Sequence, residues 1–324
     1  MGKKYLVTGG TGFIGAALVR RLVTEGHDVR VLDNNSRGAL RRLADLSDSF
    51  KFTHADIRDL DAVTQASEGV ESVIHLAAIN GTEHFYARPE VVLDVGVRGM
   101  LNVVDACRSN NNGDLILASS SEVYQSPPSI PTGESVPLVV PDVKNPRYSY
   151  GGSKIISELI CLNYELTNFD RITIFRPHNV YGPDMGWEHV LPQFSLRALK
   201  EIRKTPNGPI QFKIQGDGNQ TRAFVHINDF IDGLKTVLKR GLHREIYNIG
   251  NTEEVKISQI ANLIFAYFKR EGHLIPSSEP IGATSKRCPD ISKLQNLGYA
   301  PSITLEQGLP GLINWYVDNS HLAS

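Results

Sequence analysis

Two side chains four residues apart carry the most chemical information in this chain: Tyr150 and Lys154, in Tyr150-Gly151-Gly152-Ser153-Lys154. On a helix that spacing puts both on one face, a turn apart. An ammonium beside a phenol favours the phenolate, lowers the tyrosine pKa and makes the phenol a general base. Alone, the pair is a frequent coincidence, so its meaning depends on the elements that would position it.

Those elements begin at the N-terminus. Residues 3–7 read as a short buried strand, because Tyr5, Leu6 and Val7 are apolar and β-prone. Thr8-Gly9-Gly10-Thr11-Gly12-Phe13-Ile14-Gly15 follows, and Leu18, Val19, Leu22 and Val23 then take helical spacing. Strand, glycine turn and helix form the context of a dinucleotide fingerprint. Small residues let the backbone approach a pyrophosphate, which the amides at the helix N-terminus hold. Here Gly9, Gly12 and Gly15 give GxxGxxG rather than GxGxxG. A second strand, 29–33, ends at Asp33, where a carboxylate meets a ribose 2′-hydroxyl and disfavours a 2′-phosphate. That favours NAD over NADP, with Arg37 as the counter-signal.

Further strands are expected at 50–54, 72–77, 115–119 and 172–176, and helices at 89–109 and at 155–166, the latter continuing from the Tyr–Lys pair. Alternating β and α units predict a Rossmann-type, doubly wound parallel sheet in an α/β fold. Ligands of such sheets sit beyond the carboxyl ends of the strands. Gly9, Asp33, Asp56, Ala77, Ser119 and Pro177 all fall there. After Pro177 proline and glycine become frequent and elements shorten. Helices near 190–204, 227–239, 257–270 and 305–317 surround strands near 210–214 and 245–249. The reading is a cofactor-binding domain over 1–180 and a smaller α/β substrate-binding lobe over 181–324, with some chain crossing back.

Composition excludes several classes. The chain has 324 residues, 41% hydrophobic and 21% charged, with a net charge of −1. A pI near 6.8 gives no electrostatic case for nucleic acid or an acidic membrane. No apolar run approaches the roughly 18 residues of a membrane helix. The chain runs straight into its first strand, so no signal peptide is expected, and Leu6 stands where myristoylation wants Ser or Thr. Cys107, Cys161 and Cys288 are scattered and odd in number, as reduced thiols of a cytoplasmic protein would be. His54, His75, His178, His189 and His226 have no ligand spacing, so no metal is expected.

A series of motifs in order then resembles a known family. It comprises Thr8–Gly15, Asp33-Asn34-Asn35-Ser36-Arg37-Gly38, Asp56-Ile57, His75-Leu76-Ala77-Ala78, Ser119-Ser120-Ser121-Glu122-Val123-Tyr124, the Tyr150/Lys154 pair and Arg176-Pro177-His178-Asn179-Val180-Tyr181-Gly182-Pro183. Gly216–His226, Tyr247-Asn248-Ile249-Gly250 and Arg287-Cys288-Pro289-Asp290 continue it. The whole chain is similar to the extended short-chain dehydrogenase/reductase superfamily, in its nucleotide-sugar epimerase, dehydratase and decarboxylase branch. The resemblance implies a transient 4-keto sugar. Tyr150 would take the proton of the sugar 4-hydroxyl while NAD accepts the hydride. Lys154 would bind the nicotinamide ribose and depress the Tyr150 pKa. Ser120, with Ser121 beside it, would hydrogen-bond the 4-oxygen. Glu122 would be the carboxylate of dehydratases and decarboxylases. The cofactor would lie along Gly9, Gly12, Phe13, Ile14, Gly15, Asp33, Asn34, Ser36, Asp56, Ile57, Leu76, Ala77, Ala78 and Pro177. Arg222 and Arg287 would grip the pyrophosphate of a nucleotide-diphosphate sugar, with Asn179 and Val190 also on the substrate side. A homodimer through a four-helix bundle of 89–109 and 155–166 is implied too.

Ser121-Glu122 resembles the Ser-Glu of UDP-glucuronate decarboxylases and GDP-mannose 4,6-dehydratases, not the Asp-Glu of dTDP-glucose 4,6-dehydratases. Gln125 replaces a usual glycine, Gly96 a usual asparagine and His178 a usual apolar or aromatic residue. Dehydration or decarboxylation is therefore favoured over 4-epimerisation. A non-catalytic NAD-binding regulator is the alternative of another class, and it would have no need of Tyr150 and Lys154.

Overall fold

The computed structural model describes residues 2–164, 169–278 and 286–322. The first half alternates strand and helix: β1 (Lys4–Thr8), α1 (Phe13–Thr24), β2 (Asp28–Asp33), β3 (Lys51–His54), α2 (Leu60–Ser67), β4 (Ser72–His75), α3 (Thr82–Ala87), α4 (Pro89–Ser109), β5 (Asp114–Ala118), α5 (Ser149–Asn163) and β6 (Arg171–Pro177). The second half is more broken: β7 (Val180–Tyr181), α6 (Val190–Lys204), β8 (Ile210–Gln215), β9 (Thr221–Ala223), β10 (Val225–His226), α7 (Ile227–Arg240), β11 (Glu245–Ile249), β12 (Glu254–Lys256), α8 (Ile257–Tyr267), β13 (Gly272–Ser277), β14 (Lys286–Arg287), α9 (Ser292–Gln295) and α10 (Leu305–Asp318). The helix expected to run to Leu166 is α5; its last two predicted residues lie outside the described ones.

Seven parallel strands form the main sheet, in the order β11-β6-β5-β4-β1-β2-β3. Helices cover both faces, which is why β4 and β5 are buried at every position, including Ser72, His75 and Asp114. The order reverses beside β1, so the loops after β1 and β4 part there and open a crevice. The second lobe departs after Pro177 and has its own apolar core around Phe212, Ile264 and Leu312. It also returns: α7 leads into β11, whose Glu245 to Ile249 pair with Thr173 to Pro177 of β6. Expected as a strand of the smaller lobe, 245–249 is thus the edge of the main sheet. A second tie is Thr132, whose N–H donates to the Cys288 carbonyl at 2.9 Å while its own carbonyl accepts from Asp290 N–H at 2.8 Å.

Two departures from family expectation have packing reasons. A Cβ on Gly96 would lie 2.7 Å from Ser153 Cβ, so glycine lets α4 and α5 touch. Gln125 takes a left-handed φ of 48°, and its amide donates to the Glu122 carbonyl at 2.5 Å, bracing the turn Ser121–Tyr124.

Below that turn runs a buried polar network. Arg176 on β6 and Glu158 on α5 form a bidentate pair at 2.9 and 2.6 Å, with side chains 2% and 5% exposed. Ser119 Oγ donates to the same carboxylate. Arg176 also donates to the Tyr124 hydroxyl at 2.8 Å and the Glu134 carbonyl at 3.0 Å, and Tyr124 donates to Asn248 Oδ1 at 2.8 Å. His178 Nε2 is hydrogen-bonded to that Asn248 oxygen at 3.0 Å. One ion pair therefore ties β5, α5, β6, the loop after β5 and the end of β11. Glu158→Gln leaves a buried guanidinium without its counter-charge and should cost about 3–5 kcal/mol in urea unfolding. Combining Glu158→Leu with Arg176→Met should cost much less, since no charge is then left buried.

Candidate active site

Gly9 stands at the crest of the first turn with φ +71°, and a Cβ there would lie 2.7 Å from the Ala77 backbone. A Cβ on Gly15 would sit 2.2 Å from the Gly9 carbonyl. Only glycine lets the β1 turn, the β4 loop and the start of α1 come this close. Among the described residues no side chain caps α1, whose N-cap is Gly12. The first-turn N–H groups, including those of Phe13 and Ile14, thus face outward as anion donors. Asp33 is anchored beside them: its carboxylate accepts from Thr11 N–H at 3.0 Å and Asn35 N–H at 2.8 Å. A cavity of about 110 Å³ opens here, lined among others by Gly9, Gly12, Asp33, Asn34, Ser36, Asp56, Ile57, Leu76, Ala77 and Ala78. Donor turn, anchored carboxylate and apolar walls fit an adenine dinucleotide.

Arg37 lines this cavity as well, and its fork is already engaged. Its guanidinium pairs with Glu188 at 2.6 Å and meets His84 Nε2 at 2.8 Å, bridging the β2 loop, α3 and the second lobe. The Phe13 ring turns away, into a larger cleft of about 690 Å³ on the far side of α1. That cleft holds Arg20, Arg21, Arg41 and Arg42, each paired with an aspartate, and none of the chemistry-bearing residues. The smaller cavity, with the glycine turn and Asp33, is the candidate cofactor cleft.

Tyr150 and Lys154 lie in the first turns of α5, both buried. Lys154 Nζ donates to the Ala118 carbonyl at 2.8 Å and sits 5.9 Å from the Tyr150 ring centre. Burial brings the Lys154 ammonium down to about 8, against the opposing pull of Glu158. Tyr150 runs opposite to the sequence expectation. Burial pushes its phenol up to about 12, a hydrogen bond with Ser120 lowers it, and the charge of Glu122 raises it. The reason is geometric: the Lys154 ammonium is directed to a carbonyl rather than to the phenol. His75 is buried against Thr8 Oγ1 at 2.7 Å, and burial plus the Lys154 charge bring it to about 3, so it is neutral.

Ser120 caps the short turn after β5, its Oγ accepting from Glu122 N–H at 3.1 Å. Ser121 opens that turn. Glu122 forms an ion pair with Arg287 of β14. Burial raises its pKa, yet Arg287, Arg147 and Arg222 together outweigh burial and hold it below the usual value. Arg222 and Arg287 are register partners on the parallel strands β9 and β14, so both guanidiniums reach one region. Asn179, at φ 39°, donates its amide to the Ala223 carbonyl at 3.0 Å and so steadies the strand that carries Arg222. Pro177 ends β6 beside it. Val190 opens α6 and packs on the second lobe's core.

Sequence reasoning missed two neighbours. Phe85 stacks on the Tyr150 ring at 5.1 Å and 10°. It lies on the six-residue α3, too short to show a period. Arg147 faces Glu122 from a turn opened by Pro146, and nothing local marks it. Among the described residues no three His, Cys, Asp or Glu side chains gather as metal ligands, and no helix is long and apolar enough to cross a membrane.

Residues 5–250 match the model of the NAD dependent epimerase/dehydratase family. The UDP-N-acetyl-alpha-D-glucosaminuronate decarboxylase of Bacillus cytotoxicus is 29% identical, over 98% of this chain and 98% of its own. The dTDP-glucose 4,6-dehydratase of Streptomyces venezuelae, solved with NAD bound, superposes with a TM-score of 0.85 at 28% identity, covering 98% of each chain. The UDP-glucose 4-epimerase of Thermus thermophilus, in complex with NAD, gives 0.82 at 25% identity over 97% of this chain and 98% of its own.

Asp33→Ala should weaken NAD binding more than NADP binding, because the lost contact is to a 2′-hydroxyl. Arg37→Ala should leave the NAD/NADP ratio unchanged, since its fork is held by Glu188 and His84. Titration calorimetry with both cofactors checks each, and a large NADP-specific loss in Arg37→Ala would reverse the assignment.

Proposed function

This chain belongs to the NAD dependent epimerase/dehydratase family and is an NAD-dependent enzyme acting on nucleotide sugars; from that premise we propose that it eliminates water or carbon dioxide from a nucleotide-diphosphate sugar through a 4-keto intermediate. The observation that carries this reading is the convergence of Tyr150, Ser120 and Glu122 on one edge of the sheet, facing two arginines from the second lobe. NAD supplies the hydride acceptor for the sugar C4. Tyr150 takes the 4-hydroxyl proton as the phenolate, a form that the positive charges of Lys154 and of a bound oxidised nicotinamide would favour against burial, and Ser120 orients that oxygen. Lys154 and Asp33 hold the two ribose ends of the cofactor, with Asn34, Ser36, Asp56, Ile57, Leu76, Ala77, Ala78 and Pro177 lining its path. Arg222 and Arg287 grip the diphosphate, for which a planar fork is suited. Asn179 and Val190 belong to the same substrate side. Once C4 is a ketone, C5 is acidic. Glu122 would take its proton and return it to the departing C6 oxygen, which leaves as water, or the ketone would stabilise the carbanion left by carbon dioxide until it is protonated. In either case the hydride held by the cofactor would return to the sugar. Residues 1–180 serve the cofactor and 181–324, apart from the returning β11, the substrate.

One observation favours the 4-epimerase reading instead. Glu122 is engaged by Arg287 rather than free to act as a base. Incubation with UDP-, GDP-, dTDP- and CDP-sugars, followed by mass spectrometry, separates the outcomes. Loss of water marks a dehydratase, loss of carbon dioxide a decarboxylase, and unchanged mass with inverted C4 an epimerase. Tyr150→Phe should keep the fold and NAD binding and lose turnover by on the order of 10² or more. Normal turnover by that variant would end the mechanism, whereas no turnover of any nucleotide sugar by the unmodified protein would leave the regulator reading.

We place the enzyme in the cytoplasm, on its buried unpaired Cys107, Cys161 and Cys288, and as a homodimer across α4 and α5. Leu93, Ile156 and Leu159 are 40%, 39% and 58% exposed there, an apolar stripe suited to a four-helix bundle. Leu159→Arg should convert a dimer to a monomer in light scattering. A monomeric unmodified protein would discard the bundle.

A further inference from the structure

Glu122 and Arg287 were each marked for a separate task, proton transfer and phosphate binding, yet they bind one another. The pair is partly buried, with side chains 26% and 16% exposed. It also joins elements of both lobes: Glu122 lies in the turn after β5 and Arg287 on β14. Arg222 and Arg147 face the same carboxylate from β9 and from the turn Pro146–Tyr148. Three guanidiniums thus surround one carboxylate, and their joint effect keeps it ionised against the cost of burial.

The backbone of Glu122 is fixed at both ends. Its N–H donates to Ser120 Oγ at 3.1 Å and its carbonyl accepts from the Gln125 amide at 2.5 Å. Rotation of the Glu122 side chain is enough to separate the carboxylate from Arg287. An entering diphosphate offers more negative charge than one carboxylate and several oxygens in the geometry a guanidinium matches. It therefore competes for Arg287 with an internal anion.

We propose that Glu122 is the resident counter-ion of the diphosphate-binding arginines, displaced from Arg287 by the substrate's diphosphate and so released toward the sugar only after substrate has bound. The proposal rests on the diphosphate reading above. It reconciles the ion pair with a role in proton transfer: the same carboxylate is masked in the free enzyme and unmasked in the complex. It also gives substrate order without any large movement, because the exchange needs only side-chain torsions.

The proposal predicts a sign that a bracing role does not. If Glu122 merely positioned Arg287, its loss would weaken ligand binding. As a competitor, its loss strengthens binding. Glu122→Gln keeps shape and hydrogen bonding while removing the charge. The affinity of the NAD-loaded protein for UDP and dTDP, measured by titration calorimetry, should rise about tenfold in Glu122→Gln. That gain should vanish when Arg287→Met is added, and the double-variant cycle reads this coupling directly. Should Glu122→Gln fail to fold, Glu122→Ala gives the same sign. Unchanged or weaker binding without the carboxylate, or a gain that persists without Arg287, overturns the proposal. Absence of nucleoside diphosphate binding in every form, the unmodified enzyme included, overturns the diphosphate reading and the proposal together.

Discussion

Arg176 is 2% exposed, and a guanidinium taken that far from water is tolerable only against a carboxylate held in the same place. Glu158 is that carboxylate, and it sits one turn beyond Lys154 on the same face of α5. The pair therefore sets how α5 docks on the carboxyl ends of β5 and β6. Tyr150 and Lys154 inherit their positions from that docking. Through Tyr124 and Asn248 the same network reaches the end of β11, and so the segment that follows into the second lobe. Asn248 extends it further, its amide donating to the Thr132 and Asp290 carbonyls at 3.0 Å each, beside the strand that bears Arg287.

Electrostatics in the site follow from a dry, charge-dense edge. Burial pulls the Tyr150 phenol and the Lys154 ammonium toward their neutral forms, the first up to about 12 and the second down to about 8. Glu122 is the exception: burial alone would neutralise it, but three arginines reverse the direction. The site thus holds its acid–base tyrosine protonated and its carboxylate ionised. Glu122 lies on both sides of this balance, since its charge is also what raises Tyr150.

Beside a shared apolar core, charged side chains bridge the two lobes at the crevice. Arg37 with Glu188 and His84 spans one rim of the crevice, and Arg287 with Glu122 the other. Both bridges connect segments remote in sequence.

Local pattern was enough for much of this protein. The glycine turn, Asp33 at the end of β2 and the Tyr150–Lys154 spacing are readable because backbone approach, strand termination and helical period are properties of short segments. The alternation of strands and helices likewise predicted the parallel sheet. What the sequence could not decide were pairings between distant segments. Residues 245–249 read as a strand, but only packing of α7 against the sheet made them its edge rather than part of the second lobe. Arg37 lines the same cavity as Asp33, but that its fork is occupied by Glu188 of the second lobe could not be read from the sequence. The phenol of Tyr150 rose rather than fell because burial and a backbone carbonyl competed with the expected ammonium. Glu122 and Arg287 stand 165 residues apart, and their ion pair exists only because β14 registers on β9 and the Thr132 bridge docks that strand beside the β5 turn. Charges find their partners in three dimensions, and no spacing along the chain encodes which partner is nearest.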